Sequence, residues 1–162
     1  MKRLVSKGLV FVVGFLGSPP GTAISGDNGQ SQLYLVNEDP RQAQLEKFFG
    51  ERQCPAKAHV LEFLRAADEH GLDWRLLPTL SYVESGGGRV YRNNNIFGWQ
   101  NGDKRFPSVR AGIHVVAERL ANSEFYRDKD LDGLLRVYNS CNPKYADTVI
   151  GVMREMGPES LN

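Results

Sequence analysis

Three consecutive glycines, Gly86 to Gly88, interrupt the chain inside the stretch YVESGGGRVYRNNNIFGWQ, which runs from Tyr82 to Gln100. Lacking a Cβ, glycine takes tight and closely approaching backbone conformations and weakens helix and strand alike. No regular element is expected to cross this block, so the fold is assembled from the segments on either side of it. On its N-terminal side, Asp39-Pro40 supplies an N-cap and a first-turn proline for a short helix ending at Gly50. A second helix from Ala56 to His70 places Val60, Leu61, Leu64 and Ala67 on one stripe and stops at Gly71. Asp73 caps a third, WRLLPTLSYVES, in which Pro78 removes one backbone hydrogen bond and predicts a slight bend or a tight first turn.

On the C-terminal side of the block, FGWQ and DKRF flank Asn101-Gly102, a dipeptide that favours a two-residue hairpin turn. The pairing puts Phe97, Trp99, Lys104 and Phe106 on one face and Gly98, Gln100, Asp103 and Arg105 on the other. A helix from Ser108 to Asn122 comes next, with Val109, Ile113, Val116 and Leu120 in register. A short helix spans Asp130 to Tyr138, and a last one starts at Asn142-Pro143 with Tyr145, Val149, Val152 and Met156 inward. The expected fold class is α+β, mostly α-helical, with one small β-hairpin after the third helix.

The 162 residues, 41% of them hydrophobic, close one sizeable core. The opening MKRLVSKGLVFVVGFLGSPPGTAIS has a basic start, an apolar run from Gly8 to Gly17 and small residues around Ala23. It reads as a secretory signal peptide over residues 1–23, cleaved after Ala23 or Ser25 and leaving no stable membrane anchor. Residues 24–38 read as a linker and 39–157 as one domain. Losing Lys2, Arg3 and Lys7 takes the formal charge from +1 to −2. The remaining basic residues are scattered, which argues against a nucleic-acid partner. In an exported protein, Cys54 and Cys141 permit one disulfide, which in the chain-entropy model contributes about 4 to 5 kcal/mol. Neither cysteine belongs to a Cys-x-x-Cys pair, and His59, His70 and His114 lack ligand spacing, so no metal or other cofactor is called for.

The chemistry centres on Glu84. On a helical wheel with Leu76 at zero, Leu80 falls near about 40°, Leu77 near about 100° and Glu84 near about 80°. Glu84 therefore points into the apolar arc, close to a helix C-terminus. Desolvation and the negative end of the helix dipole both disfavour its ionised form, which suits an acid that gives a proton to a leaving oxygen. The asparagine run offers amide donors and acceptors, while Phe97 and Trp99 offer aromatic rings. That combination suits a sugar.

GLDWRLLPTLSYVESGGG, NNNIFGW, FPSVRAGIHVVAERLANSEFY and YNSCNPKYADTVIGVM together resemble the bacterial endo-β-N-acetylglucosaminidase domains of the lysozyme-like superfamily, over residues 56–156. The resemblance implies a lysozyme-like fold and cleavage of β-1,4 glycosidic bonds in peptidoglycan strands. Glu84 matches the family's catalytic acid, and Tyr145 matches a tyrosine placed in the cleft opposite that acid. Asn94, Asn95, Phe97 and Gly98 match the motif that shapes the cleft wall, with Trp99 beside them as a sugar-stacking candidate.

Glycosidases ordinarily use two acids. Asp103, beside the expected hairpin turn, is the candidate second acid, while Glu118 and Asp147 read as helix-face carboxylates. A single-acid route is the alternative, in which the substrate's 2-acetamido oxygen attacks the anomeric carbon and Tyr145 steadies the developing charge. A lytic transglycosylase, a non-catalytic glycan-binding module and a secreted structural protein are the competing functional classes.

Overall fold

The computed structural model describes residues 39–160, so the signal-peptide and linker readings for 1–23 and 24–38 lie outside the described residues. Within them the fold is mostly α-helical. Six α-helices run in order: α1 Pro40–Glu51, α2 Val60–His70, α3 Leu76–Ser85, α4 Val109–Asn122, α5 Leu131–Tyr138 and α6 Tyr145–Met156. Side-chain caps start three of them. Asp39 accepts from Arg41 N at 2.9 Å, Ser108 Oγ from Ala111 N at 3.1 Å, and Asp130 Oδ1 from Gly133 N at 2.9 Å. Each satisfies a backbone donor that the first turn leaves without a partner.

α3 is the central element. Leu76, Leu77, Thr79, Leu80 and Ser81 are buried around its circumference, as expected of a helix enclosed by others. It packs on α2 and α6, α2 packs on α4, and α1 covers α2. Pro78 stands third in α3, within the first turn, where its missing N–H would have had no intrahelical partner.

Phe49, Phe63 and Phe97 form a chain of rings through the core, with centroids 5.9 and 6.4 Å apart. Arg41 joins α1 to α2 by donating to Asp68 at 2.6 Å.

Two helical stripes differ in detail from the sequence expectation. A 3₁₀ turn, Pro55–His59, precedes α2, so the α-helix begins at Val60 and not at Ala56. Its buried face is Val60, Phe63, Leu64, Ala66 and Ala67, and Leu61 is 57% exposed. The bulky Phe63 takes the inward place. In α6, Met153 occupies the core position expected of Val152, which lies at the partly buried edge.

The predicted hairpin is absent. Among the described residues the only strand-like pairing is an isolated antiparallel bridge between Arg92 and Asn95. Residues 97–106 form successive turns instead. Gly98, Gln100, Asn101 and Gly102 all have φ between 52° and 82°, and Gly102 N donates to Gly98 O at 2.9 Å. Left-handed backbone over that many positions closes the chain into a compact knot and cannot continue an extended ladder. Phe97 and Phe106 point into the core while Lys104 stays exposed, so the expected shared face does not exist.

Candidate active site

The site begins where α3 ends. Gly86, Gly87 and Gly88 have φ of 64°, 66° and 81°, three successive left-handed residues that only glycine adopts without strain. Gly86 N donates to Tyr82 O at 2.9 Å and Gly87 N to Ser81 O at 3.1 Å, which satisfies the terminal carbonyls of α3. Ser85 Oγ, donating to Ser81 O at 2.8 Å and accepting from Gly88 N at 2.9 Å, locks the reversal. The last turn of α3 is therefore held rigidly, and Glu84 with it.

The asparagine run then braces the irregular segment. Asn95, 3% exposed, donates to Trp99 O at 2.8 Å and Lys104 O at 3.2 Å and accepts from Trp99 N at 3.0 Å. Asn94 donates to Phe106 O at 2.9 Å and Pro107 O at 3.2 Å, and Asn93 to Gly102 O at 3.3 Å. These amides hold the far half of the loop. The result sets Gly98 directly against Glu84, where a Cβ on Gly98 would stand 2.6 Å from Glu84 Oε2.

Glu84 lies on a cleft of about 1200 Å³. Its Oε1 accepts a hydrogen bond from the Tyr145 hydroxyl at 2.5 Å, and its Oε2 makes no hydrogen bond among the described residues. Burial raises the Glu84 pKa above the ordinary glutamate value, and the Tyr145 hydrogen bond partly opposes the shift. Burial likewise pushes the hydroxyls of Tyr145, Tyr138 and Tyr126 upward, so each remains a donor at neutral pH. Tyr138 stacks on Tyr145 at 5.8 Å and donates to Phe97 O at 2.6 Å, which ties α5 to the loop behind the acid. Trp99 lies edge-on to Tyr138 at 5.5 Å and beside Tyr126 at 6.1 Å. The arrangement can hold a proton on a carboxyl that faces a cleft with aromatic walls.

Of the residues singled out from the sequence, Glu84, Asn95, Gly98 and Trp99 line the cleft. Tyr145 is 3% exposed and supports the acid from behind through its hydroxyl. Asn94 and Phe97 do not line the cleft: the amide of Asn94 is taken up by backbone, and Phe97 belongs to the core. Asp103 is also outside the lining. Its side chain is 76% exposed and pairs with Arg92 at 2.5 Å. Glu118 is exposed and pairs with Arg119 at 3.6 Å, and Asp147 is exposed on the first turn of α6.

No disulfide joins Cys54 to Cys141. Cys54 is buried beneath Gly87, on which a Cβ would stand 2.8 Å from its Sγ, while Cys141 is exposed at the cleft. Among the described residues, no three His, Cys, Asp or Glu side chains gather as a metal site, and no helix is long and apolar enough to cross a membrane.

Sequence reasoning missed the part of the lining formed by Ser123, Glu124, Phe125 and Tyr126 in the α4–α5 connection. It also missed the apolar lip. Val90, Tyr91, Val115, Phe125 and Val137 are exposed large apolar residues, and all of them line this cleft. Such clustering marks a binding surface. The signal was present in SEFY, whose Phe125 fits neither adjoining helical stripe. Comparisons with protein-family models, curated proteins and solved structures gave no match.

Proposed function

We propose that the protein is an exported peptidoglycan hydrolase of lysozyme-like fold, cleaving β-1,4 glycosidic bonds of the glycan strand in the manner of an endo-β-N-acetylglucosaminidase. The observation that carries this reading is Glu84: a carboxyl desolvated at the floor of a large cleft, held on one oxygen by Tyr145 and free on the other. A raised pKa keeps the proton available, and the free Oε2 is the atom from which it passes to the leaving glycosidic oxygen. The cleft exceeds the volume usual for a small-molecule pocket, which suits a polymer segment. Trp99, Tyr126 and Phe125 offer rings to the apolar faces of sugars.

The test is digestion of purified sacculi by wild type and Glu84→Gln side by side. Loss of about 10² to 10⁴ in rate is expected for the variant, with unchanged binding of glycan strands. Equal digestion by both proteins removes Glu84 from the chemistry. Mass spectrometry of the products separates hydrolysis from lytic transglycosylation, which leaves an anhydro end. Glycan binding with no turnover by wild type identifies a non-catalytic module.

A further inference from the structure

Two carboxylates, and only two, line the cleft among the described residues: Glu84 and Glu124. They belong to different elements. Glu84 ends α3, and Glu124 stands in the turn after α4. That turn is closed by Tyr126 N and Arg127 N, both donating to Ser123 O at 3.0 Å, and is anchored by the Tyr126 ring beside Trp99. Glu124 is exposed and makes no hydrogen bond or ion pair among the described residues, whereas other acids near the cleft, Asp103 and Glu118, are paired with arginines.

We propose, resting on the glycosidase reading, that Glu124 is the general base of the reaction. Glu84 gives its proton to the leaving glycosidic oxygen as the bond from that oxygen to the anomeric carbon breaks. The water oxygen bonds to the anomeric carbon, and Glu124 takes the proton released. One water is consumed, and the proton gained by Glu124 returns to Glu84 through solvent. Direct attack by water inverts the anomeric configuration, whereas the acetamido-assisted route retains it.

The experiment compares wild type, Glu84→Gln, Glu124→Gln and Glu124→Asp on purified peptidoglycan strands, following rate against pH and the product anomer by proton NMR early in the reaction. Among the described residues Glu124 makes no side-chain hydrogen bond or ion pair, so its variants should melt with wild type. Glu124→Gln should lose about 10² to 10⁴ in kcat with KM held within about threefold, and the acidic limb of its pH profile should disappear. Glu124→Asp should recover part of the rate, and wild type should release the α-anomer. A Glu124→Gln rate within about threefold of wild type, a loss confined to KM, or β-anomeric or anhydro products would each overturn the assignment while leaving Glu84 as the acid. If wild type is inert on the strands, the glycosidase reading itself fails, and this assignment fails with it.

Discussion

α2 packs on α4, and the buried faces of the two helices, with Phe63 and Ala67 on one and Ile113 and Val116 on the other, are apolar side chains repeating at helical spacing. The segment from Gly86 to Pro107 belongs to the same domain but is fixed by three asparagine amides and a run of left-handed backbone. One region is specified by surface withdrawn from water and the other by hydrogen bonds that each have a single geometry. The difference teaches why the acid sits beside the second region. Helical packing tolerates small shifts, whereas an amide spanning two carbonyls fixes the backbone at Gly98 against Glu84.

Four substitutions test that contrast, in decreasing order of expected effect. Phe63→Ala should lose about 3 to 5 kcal/mol in denaturant unfolding, as for other large-to-small core changes. Asn95→Ala should lose about 2 to 3 kcal/mol, because it removes three hydrogen bonds made by a side chain that is 3% exposed and leaves Trp99 N–H without its partner. A loss below about 0.5 kcal/mol would show that the loop is held by something else.

Gly98→Ala should cost about 1 to 3 kcal/mol through its positive φ, with a fall of about 10² in kcat as the new methyl displaces the Glu84 carboxylate. Unchanged kinetics would mean that the close approach does not position the acid. Tyr145→Phe should be mildest in stability, at about 1 kcal/mol. Its hydrogen bond lowers the Glu84 pKa, so its removal should raise that pKa further and move the alkaline limb of activity to higher pH.

Linkage gives the sign of the accompanying stability change. Because the folded pKa of Glu84 lies above its unfolded value, folding favours the protonated form, and stability declines as pH rises from the unfolded pKa through the folded one. Tyr145→Phe should deepen that decline, which thermal unfolding across pH would measure.

Legibility from sequence divides along the same line. Helical spacing and caps marked all six helices within a few residues, and the wheel alone placed Glu84 inward. The 3₁₀ turn ahead of α2 escaped, since Pro55 and Ala56 suit either helix type. Asn101-Gly102 does make its turn, with Asp103 N donating to Gln100 O at 3.0 Å, but the left-handed backbone at Gly98 and Gln100 stops a ladder from following it. Nor could spacing reveal that Tyr145 donates to a carboxylate 61 residues earlier in the chain, or that Glu124 shares a cleft with it. Those are facts of three-dimensional closure, carried by no local pattern.

The chain has two tryptophans, placed in opposite circumstances. Trp74 is buried, its indole N–H bonded to Glu159 O at 2.9 Å, while Trp99 stands half-buried on the cleft wall. Ultraviolet emission from the first should stay constant as the cleft fills, and emission from the second should shift to the blue as solvent leaves. The protein thus contains its own optical gauge of occupancy, readable without a label.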